Sequence, residues 1–148
     1  MKVLLDSNIL IRWLEPHHPD RALVQSAIDA LLRTSSELCF TLQNVSEFWN
    51  VLTRPLDRNG YGLSPEETDR RVRSFETRLS LLADTTDVYR AWRKLLVEHS
   101  VRGVQVHDAR LVASMLTHGV TKILTFNTKD FARYPQIEAL HPAEVPAK

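Results

Sequence analysis

One cysteine, four glycines and two methionines are all that this 148-residue chain holds of those residue types. A lone cysteine has no partner for an internal disulfide, so stability must come from a packed core, and a reducing compartment suits the chain. Cys39 itself lies in the apolar run Leu38-Cys39-Phe40, where it reads as a small core residue. No low-complexity tract and no internal repeat is found, which excludes fibrous and solenoid architectures. An excess of charge is also missing. Nineteen Lys and Arg against eighteen Asp and Glu leave +1, so no global positive field draws a polyanion, and any nucleic-acid contact must come from local basic patches. Long hydrophobic runs are absent near the start, where Asp6 and Arg12 interrupt the apolar stretch too soon for a signal-peptide core or a membrane span. The expected location is therefore the cytoplasm, away from any membrane.

What is present describes an ordinary globular protein, 43% hydrophobic and 25% charged. Residues 1–148 are expected to form a single domain, a size that buries about 68–70% of the surface of the unfolded chain. Val3 to Leu5 make a short apolar run ending in Asp6, and Ile9, Leu10, Trp13 and Leu14 follow at helical spacing. A helix is expected from Asp20 to about Thr34, a strand over Leu38 to Leu42, and a helix capped by Asn44 and closed at Arg54-Pro55. Residues 55–63 read as a loop. Ser64-Pro65-Glu66-Glu67 combines a capping box with Pro at the first helical position, so a helix should run to about Arg78. Leu79 to Ala83 is a further expected strand, Thr86 to His99 a helix, Asp108 to His118 a helix ended by Gly119, and Lys122 to Phe126 a strand. Strands alternating with helices argue for an α/β fold with a mainly parallel sheet.

Four acids fall where such a fold would gather them: Asp6 after the first strand, Glu47 early in the third helix, Asp108 opening a helix, and Asp130 in the loop that leaves the last strand. Ligands of open parallel sheets bind in the crevice beyond the carboxyl ends of the strands. Each acid also has a plain structural role open to it. Asp6 and Asp108 suit helix N-termini, Glu47 suits a solvated polar stripe with Gln43, Asn50 and Arg54, and Asp130 suits an Asx-type turn. The combination points to chemistry. Two carboxylates about 4 Å apart repel by roughly 4 kcal/mol at an effective dielectric of 20, so a shared pocket of them calls for a divalent cation. Hard oxygen donors with few His or Cys nearby favour Mg²⁺ or Mn²⁺ over zinc. Such an ion lowers the pKa of water and stabilises charge on a phosphate, which suits phosphodiester hydrolysis.

Ser7, Asn8, Thr125 and Asn127 flank these acids and are candidates to orient them. Arg12, Arg54, Arg58 and Arg110 are candidates to grip phosphates of RNA by bidentate hydrogen bonds. The Arg70-Arg71-Val72-Arg73 cluster reads first as a solvated helix face.

Four segments in this order resemble the motifs of the PIN-domain nucleases, and among them the VapC-type toxins of bacterial toxin–antitoxin pairs: Leu5-Asp6-Ser7-Asn8-Ile9-Leu10, Ser46-Glu47-Phe48 with Leu52-Thr53-Arg54-Pro55, His107-Asp108-Ala109, and Thr125-Phe126-Asn127-Thr128-Lys129-Asp130-Phe131. The resemblance spans nearly the whole chain. It implies a three-layer α/β/α sandwich around a mainly parallel sheet of four to five strands. It further implies Mg²⁺ or Mn²⁺ held by Asp6, Glu47, Asp108 and Asp130, and cleavage of single-stranded RNA restrained by a cognate antitoxin. A homodimer is implied as well, with a groove for the antitoxin that Trp13, Trp49 and Trp92 are candidates to line. In one respect the chain departs from the pattern, with Asn127 where many relatives place an acid, which leaves one or two ions open.

Two other readings compete with this one. A haloacid-dehalogenase-like phosphatase also places an Asp after its first strand but wants a second Asp two residues later, where this chain has Asn8. The alternative from a different class is a non-catalytic PIN-fold module that binds RNA or a protein partner, for which Asn127 is the best support.

Overall fold

The computed structural model describes residues 1–146. Strands β1 (Lys2–Leu5), β2 (Glu37–Thr41), β3 (Ser80–Leu82), β4 (Lys122–Leu124) and β5 (Glu138–Leu140) alternate with helices α1 (Ser7–Leu14), α2 (Arg21–Arg33), α3 (Leu42–Thr53), α4 (Pro65–Glu76), α5 (Thr86–Glu98) and α6 (Val106–Thr117). The strands join in one sheet, ordered β3-β2-β1-β4-β5, and every neighbouring pair is parallel.

Side-chain alternation along the strands divides the core in two. Val3, Leu5, Leu38 and Phe40 face a layer made by α1 to α4, where Ile9, Leu10, Val24, Ile28, Phe48, Leu52 and Phe75 are buried. Leu4, Cys39 and Ile123 face the other way, onto α5 and α6, where Leu95, Leu111, Val112 and Met115 pack. The result is the expected three-layer α/β/α sandwich. A central strand covered on both faces must be apolar throughout, as Val3, Leu4 and Leu5 are, all of them fully buried. Cys39 is buried as expected. Among the described residues no helix is long and apolar enough to cross a membrane.

Several boundaries differ from the sequence reading, each for a local reason. The third helix starts at Leu42 and its N-cap is Thr41, whose hydroxyl accepts from Asn44 N at 3.2 Å while Asn44 Oδ1 accepts from Thr41 N at 2.9 Å. Asn44 is thus the third helical residue of a capping box and not the cap. Ser64 caps α4 as expected, accepting from Glu67 N at 3.1 Å, but the Glu67 carboxylate pairs with Arg70 and Arg71. α6 begins two residues ahead of Asp108, which sits in its first turn. β4 stops at Leu124 because the next residues turn to bond with Asp6 and Asn8. β5 had no signal of its own in the sequence, being a three-residue edge strand with an exposed glutamate.

All strands being parallel, their carboxyl ends share one rim. There α1 is capped by Asp6, α3 by Thr41 and α5 by Thr85, and there the chain leaves β4 at Thr125.

Candidate active site

Asp6 is the fixed point of this rim. It is buried, and its backbone N–H still belongs to the sheet, donating to Leu124 O at 3.1 Å. Its Oδ1 accepts from Ser7 N at 2.7 Å, which caps α1, and its Oδ2 accepts from Thr125 Oγ1 at 2.8 Å. Asn8 Nδ2 adds a long contact to the same Oδ2, at 3.4 Å, and Asn8 Oδ1 accepts from Phe126 N at 3.3 Å. Thr125 Oγ1 in turn accepts from Asn127 N at 3.0 Å. Ser7, Asn8 and Thr125 therefore orient the carboxylate, while Asn127 contributes its backbone to that network and leaves its side chain at the surface.

The other acids converge on Asp6 from three elements. Ser7 Oγ lies 3.4 Å from Asp6 Oδ1 and 3.3 Å from Glu47 Oε2, so the two carboxylates stand within two hydrogen-bond lengths of each other. Glu47 sits on the second turn of α3, one helical turn after Gln43. Asp108 comes from the first turn of α6, and Asp130 from the 3₁₀ turn Thr128–Phe131 that follows β4.

Mutual repulsion is legible in the titration of these groups. The Asp6 carboxyl is pushed above the usual carboxylate range, chiefly by burial and further by the charge of Asp130, against the pull of the Thr125 and Ser7 hydrogen bonds. Loss of solvent raises Glu47, and the Asp6 charge adds to it. Asp108 is raised to about 6, first by desolvation and then by Asp130, Asp6 and Glu47 in turn, while His107 opposes the rise. Asp6, Glu47 and Asp108 thus each feel the charge of at least one neighbouring acid, the behaviour expected of one pocket. Among the described residues, no three acid, histidine or cysteine side chains stand close enough to close around an ion as they are placed. The donor set is nonetheless all hard oxygen, and the three acids around Asp6 are exposed or half-exposed and so free to turn inward.

The sequence matches the family model of the PIN domain over residues 3–137. The chain belongs to the PIN domain family. No curated protein matches it significantly. Among solved structures, this PIN domain is similar to a chain of VapBC2 from Rickettsia felis bound to a promoter DNA fragment, with 16% identity and a TM-score of 0.69, covering 95% of this chain and 98% of that one. It is similar to a chain of a toxin–antitoxin complex from Klebsiella pneumoniae, at 22% identity and a TM-score of 0.66, covering 97% and 99%. A third similar structure is VapC20 from Mycobacterium tuberculosis, described as a Sarcin-Ricin loop cleaving toxin, at 16% identity and a TM-score of 0.65, covering 89% and 95%. At these identities the likeness is one of fold.

The arginines of the PIN domain are placed less uniformly than its acids. Arg12 stacks its guanidinium 4.0 Å over the Phe126 ring and reaches Asp20 at 3.5 Å, so it lies beside the rim but is already engaged. Arg54 turns away, its Nη2 donating to Asn59 O at 2.9 Å and closing the 55–63 loop. Arg58 is exposed in that loop. Arg110 pairs with Asp84 at 2.6 Å, one helical turn beyond Val106 and His107. Arg70 and Arg73 make ion pairs within α4, and Arg71 also donates to Leu14 O at 3.0 Å, so this cluster is the helix face first expected. Trp13 is core, Trp49 is half-buried against the same core, and Trp92 donates to Val106 O at 2.9 Å.

Gln43, which the sequence reading set in a solvated polar stripe with Glu47, is instead a buried residue of the rim. It donates to His107 O at 2.9 Å and so ties α3, which carries Glu47, to the start of α6, which carries Asp108. Its hydrogen bond to Glu47 lowers the pKa of that acid. The available signal was its spacing, four residues before Glu47 on one helix face.

Proposed function

We propose that this PIN domain is a Mg²⁺- or Mn²⁺-dependent endoribonuclease and the toxin component of a toxin–antitoxin pair. The observation that supports the reading most is the convergence of Asp6, Glu47, Asp108 and Asp130 on the carboxyl-terminal rim of a parallel sheet. The carboxyls of Asp6, Glu47 and Asp108 are raised by burial and by the charge of neighbouring acids. These four side chains would hold the ion, with Asp6 locked in place by Thr125 and Ser7 and the others closing from α3, α6 and the 3₁₀ turn. Bound there, the ion supplies Lewis-acid chemistry, activating water and offsetting phosphate charge. Ser7 and Thr125 keep Asp6 aimed at the pocket, and Gln43 keeps the α3 and α6 acids in register. Arg12 and Arg58 are the remaining candidates for backbone phosphates, the first beside the rim and the second free at the surface. The toxin assignment and the cognate antitoxin follow the VapBC and toxin–antitoxin structures whose fold this chain shares, and the homodimer follows from the resemblance to VapC-type toxins.

Purified protein incubated with total RNA and Mg²⁺ or Mn²⁺ is expected to cut it, and EDTA or Asp6→Asn to abolish cutting. Cleavage that persists in EDTA or in the Asp6→Asn protein would overturn the mechanism. RNA binding without cleavage, with every ion tried, would instead identify the non-catalytic module.

A further inference from the structure

Beside the acid cluster, on the same rim, α5 and α6 enclose a groove of about 430 Å³ that nothing in the proposed hydrolysis uses. Its walls are apolar and aromatic, formed by Val88, Tyr89, Trp92 and Val106, and its polar end is formed by the Arg110–Asp84 pair and His107. The aromatic rings of Tyr89 and Trp92 lie 6.4 Å apart and tilted by 43°. Two hydrogen bonds fix this shape in advance: Trp92 Nε1 to Val106 O at 2.9 Å, and Arg110 Nη2 to Asp84 Oδ2 at 2.6 Å.

We propose that this groove is a base-binding subsite, taking one unstacked nucleobase of the RNA strand whose adjoining phosphate lies at the acid cluster. The inference rests on the RNA-cleaving reading and adds to it a determinant of sequence preference. Three observations favour a base. The volume lies within the roughly 300–1,000 Å³ of sites for small organic groups. Aromatic walls with a small polar end match what an unstacked base presents, a π-face and a hydrogen-bonding edge, and Arg110 and Asp84 offer that edge both a donor and an acceptor. Position and charge also agree. His107 lines the groove and immediately precedes Asp108, about one residue's reach from the acids, and the exposed Arg93 sits 5.7 Å over the Tyr89 ring, where a polyanion would pass. Tyr89 itself is half-exposed.

The test uses the Asp6→Asn protein, which is expected not to cut and whose folding is checked by circular dichroism, with Mg²⁺ present. Fluorescence anisotropy compares its affinity for a ten-nucleotide single-stranded RNA and for an abasic ribose-phosphate strand of equal length. The base-containing strand should bind at least about fivefold tighter, the factor equivalent to a ~1 kcal/mol stack. Adding Tyr89→Ala should remove that preference, and Tyr89→Phe, which keeps the ring, should retain it. Equal binding of both strands, or a preference that survives Tyr89→Ala, overturns the subsite and leaves the RNA-cleaving reading standing. Binding of neither strand overturns both. A shift from dimer to monomer on Tyr89→Ala in sedimentation, with the preference intact, would make the groove a protein interface instead.

Discussion

Thr125 Oγ1 donates to Asp6 Oδ2 at 2.8 Å, tying the end of β4 to the end of β1 across 119 positions of sequence. Without it, Oδ2 of a buried carboxylate keeps only the long contact from Asn8. Thr125→Val preserves shape and removes the hydroxyl. It should cost about 1–3 kcal/mol, read by urea denaturation, because a buried acceptor is left poorly satisfied. Cleavage should also fall by about 10–100-fold, the usual effect of losing a group that orients a ligand. Unchanged stability and cleavage together would show that Asp6 is aimed by something else.

The pKa of about 6 at Asp108, against its ordinary 3.8, makes stability depend on pH in a definite direction. The folded protein binds the proton more tightly than the unfolded chain does, so raising the pH from about 4 to about 6 lowers the stability of the metal-free protein. Asp108→Asn removes that dependence. In EDTA the variant should be more stable than wild type at pH 7.5, by of order 1 kcal/mol once screening at the half-exposed side chain is allowed for, and no more stable at pH 4. Parallel melting curves at the two pH values measure the difference. An Asn variant less stable than wild type at pH 7.5 would contradict the repulsion argument.

Divalent ions should reverse that repulsion. At about 100 times the dissociation constant, an ion that binds only the folded state adds about 2.7 kcal/mol, or roughly 5–10 °C in melting temperature for a chain of this length. Mn²⁺ or Mg²⁺ should give such a rise at pH 7.5, EDTA should cancel it, and the Asp6→Asn protein should show little of it. An equal rise in wild type and variant would place the ion elsewhere.

Gly60 has an architectural role in the loop that folds back on the end of α3. A Cβ there would fall 1.9 Å from the Arg54 carbonyl oxygen, far inside contact distance and against backbone that cannot yield cheaply. Gly60→Ala should destabilise the protein by about 1–3 kcal/mol, as overpacking does. Differential scanning calorimetry would show it. A neutral result would mean that the 55–63 loop moves freely from α3.

Asp6 and Asp108 were legible because each adjoins a strong apolar pattern, Asp6 behind a fully buried run and Asp108 ahead of the stripe Leu111, Val112, Met115, whereas Glu47 and Asp130 came from the resemblance of their motifs. The groups that aim them were partly legible. Ser7, Asn8 and Thr125 touch Asp6 or its neighbours and lie next to it or in the matching motif. Gln43 was not, because a polar residue in an amphipathic helix looks solvated until the neighbouring helix is in place. The arginines misled in the opposite way, since sequence gives their charge but not the partners that occupy Arg54 and Arg110. β5 carries too few residues to show a period.

The central position of β1 has a consequence for synthesis. Its first neighbour, β2, leaves the ribosome soon after it, whereas β4 comes more than a hundred residues later. Asp6 therefore stays half-built until β4 has emerged, lacking both its sheet partner Leu124 and the Thr125 hydroxyl. The rim that gathers the four acids is complete only after the chain has emerged past Thr125 and the turn that carries Asp130.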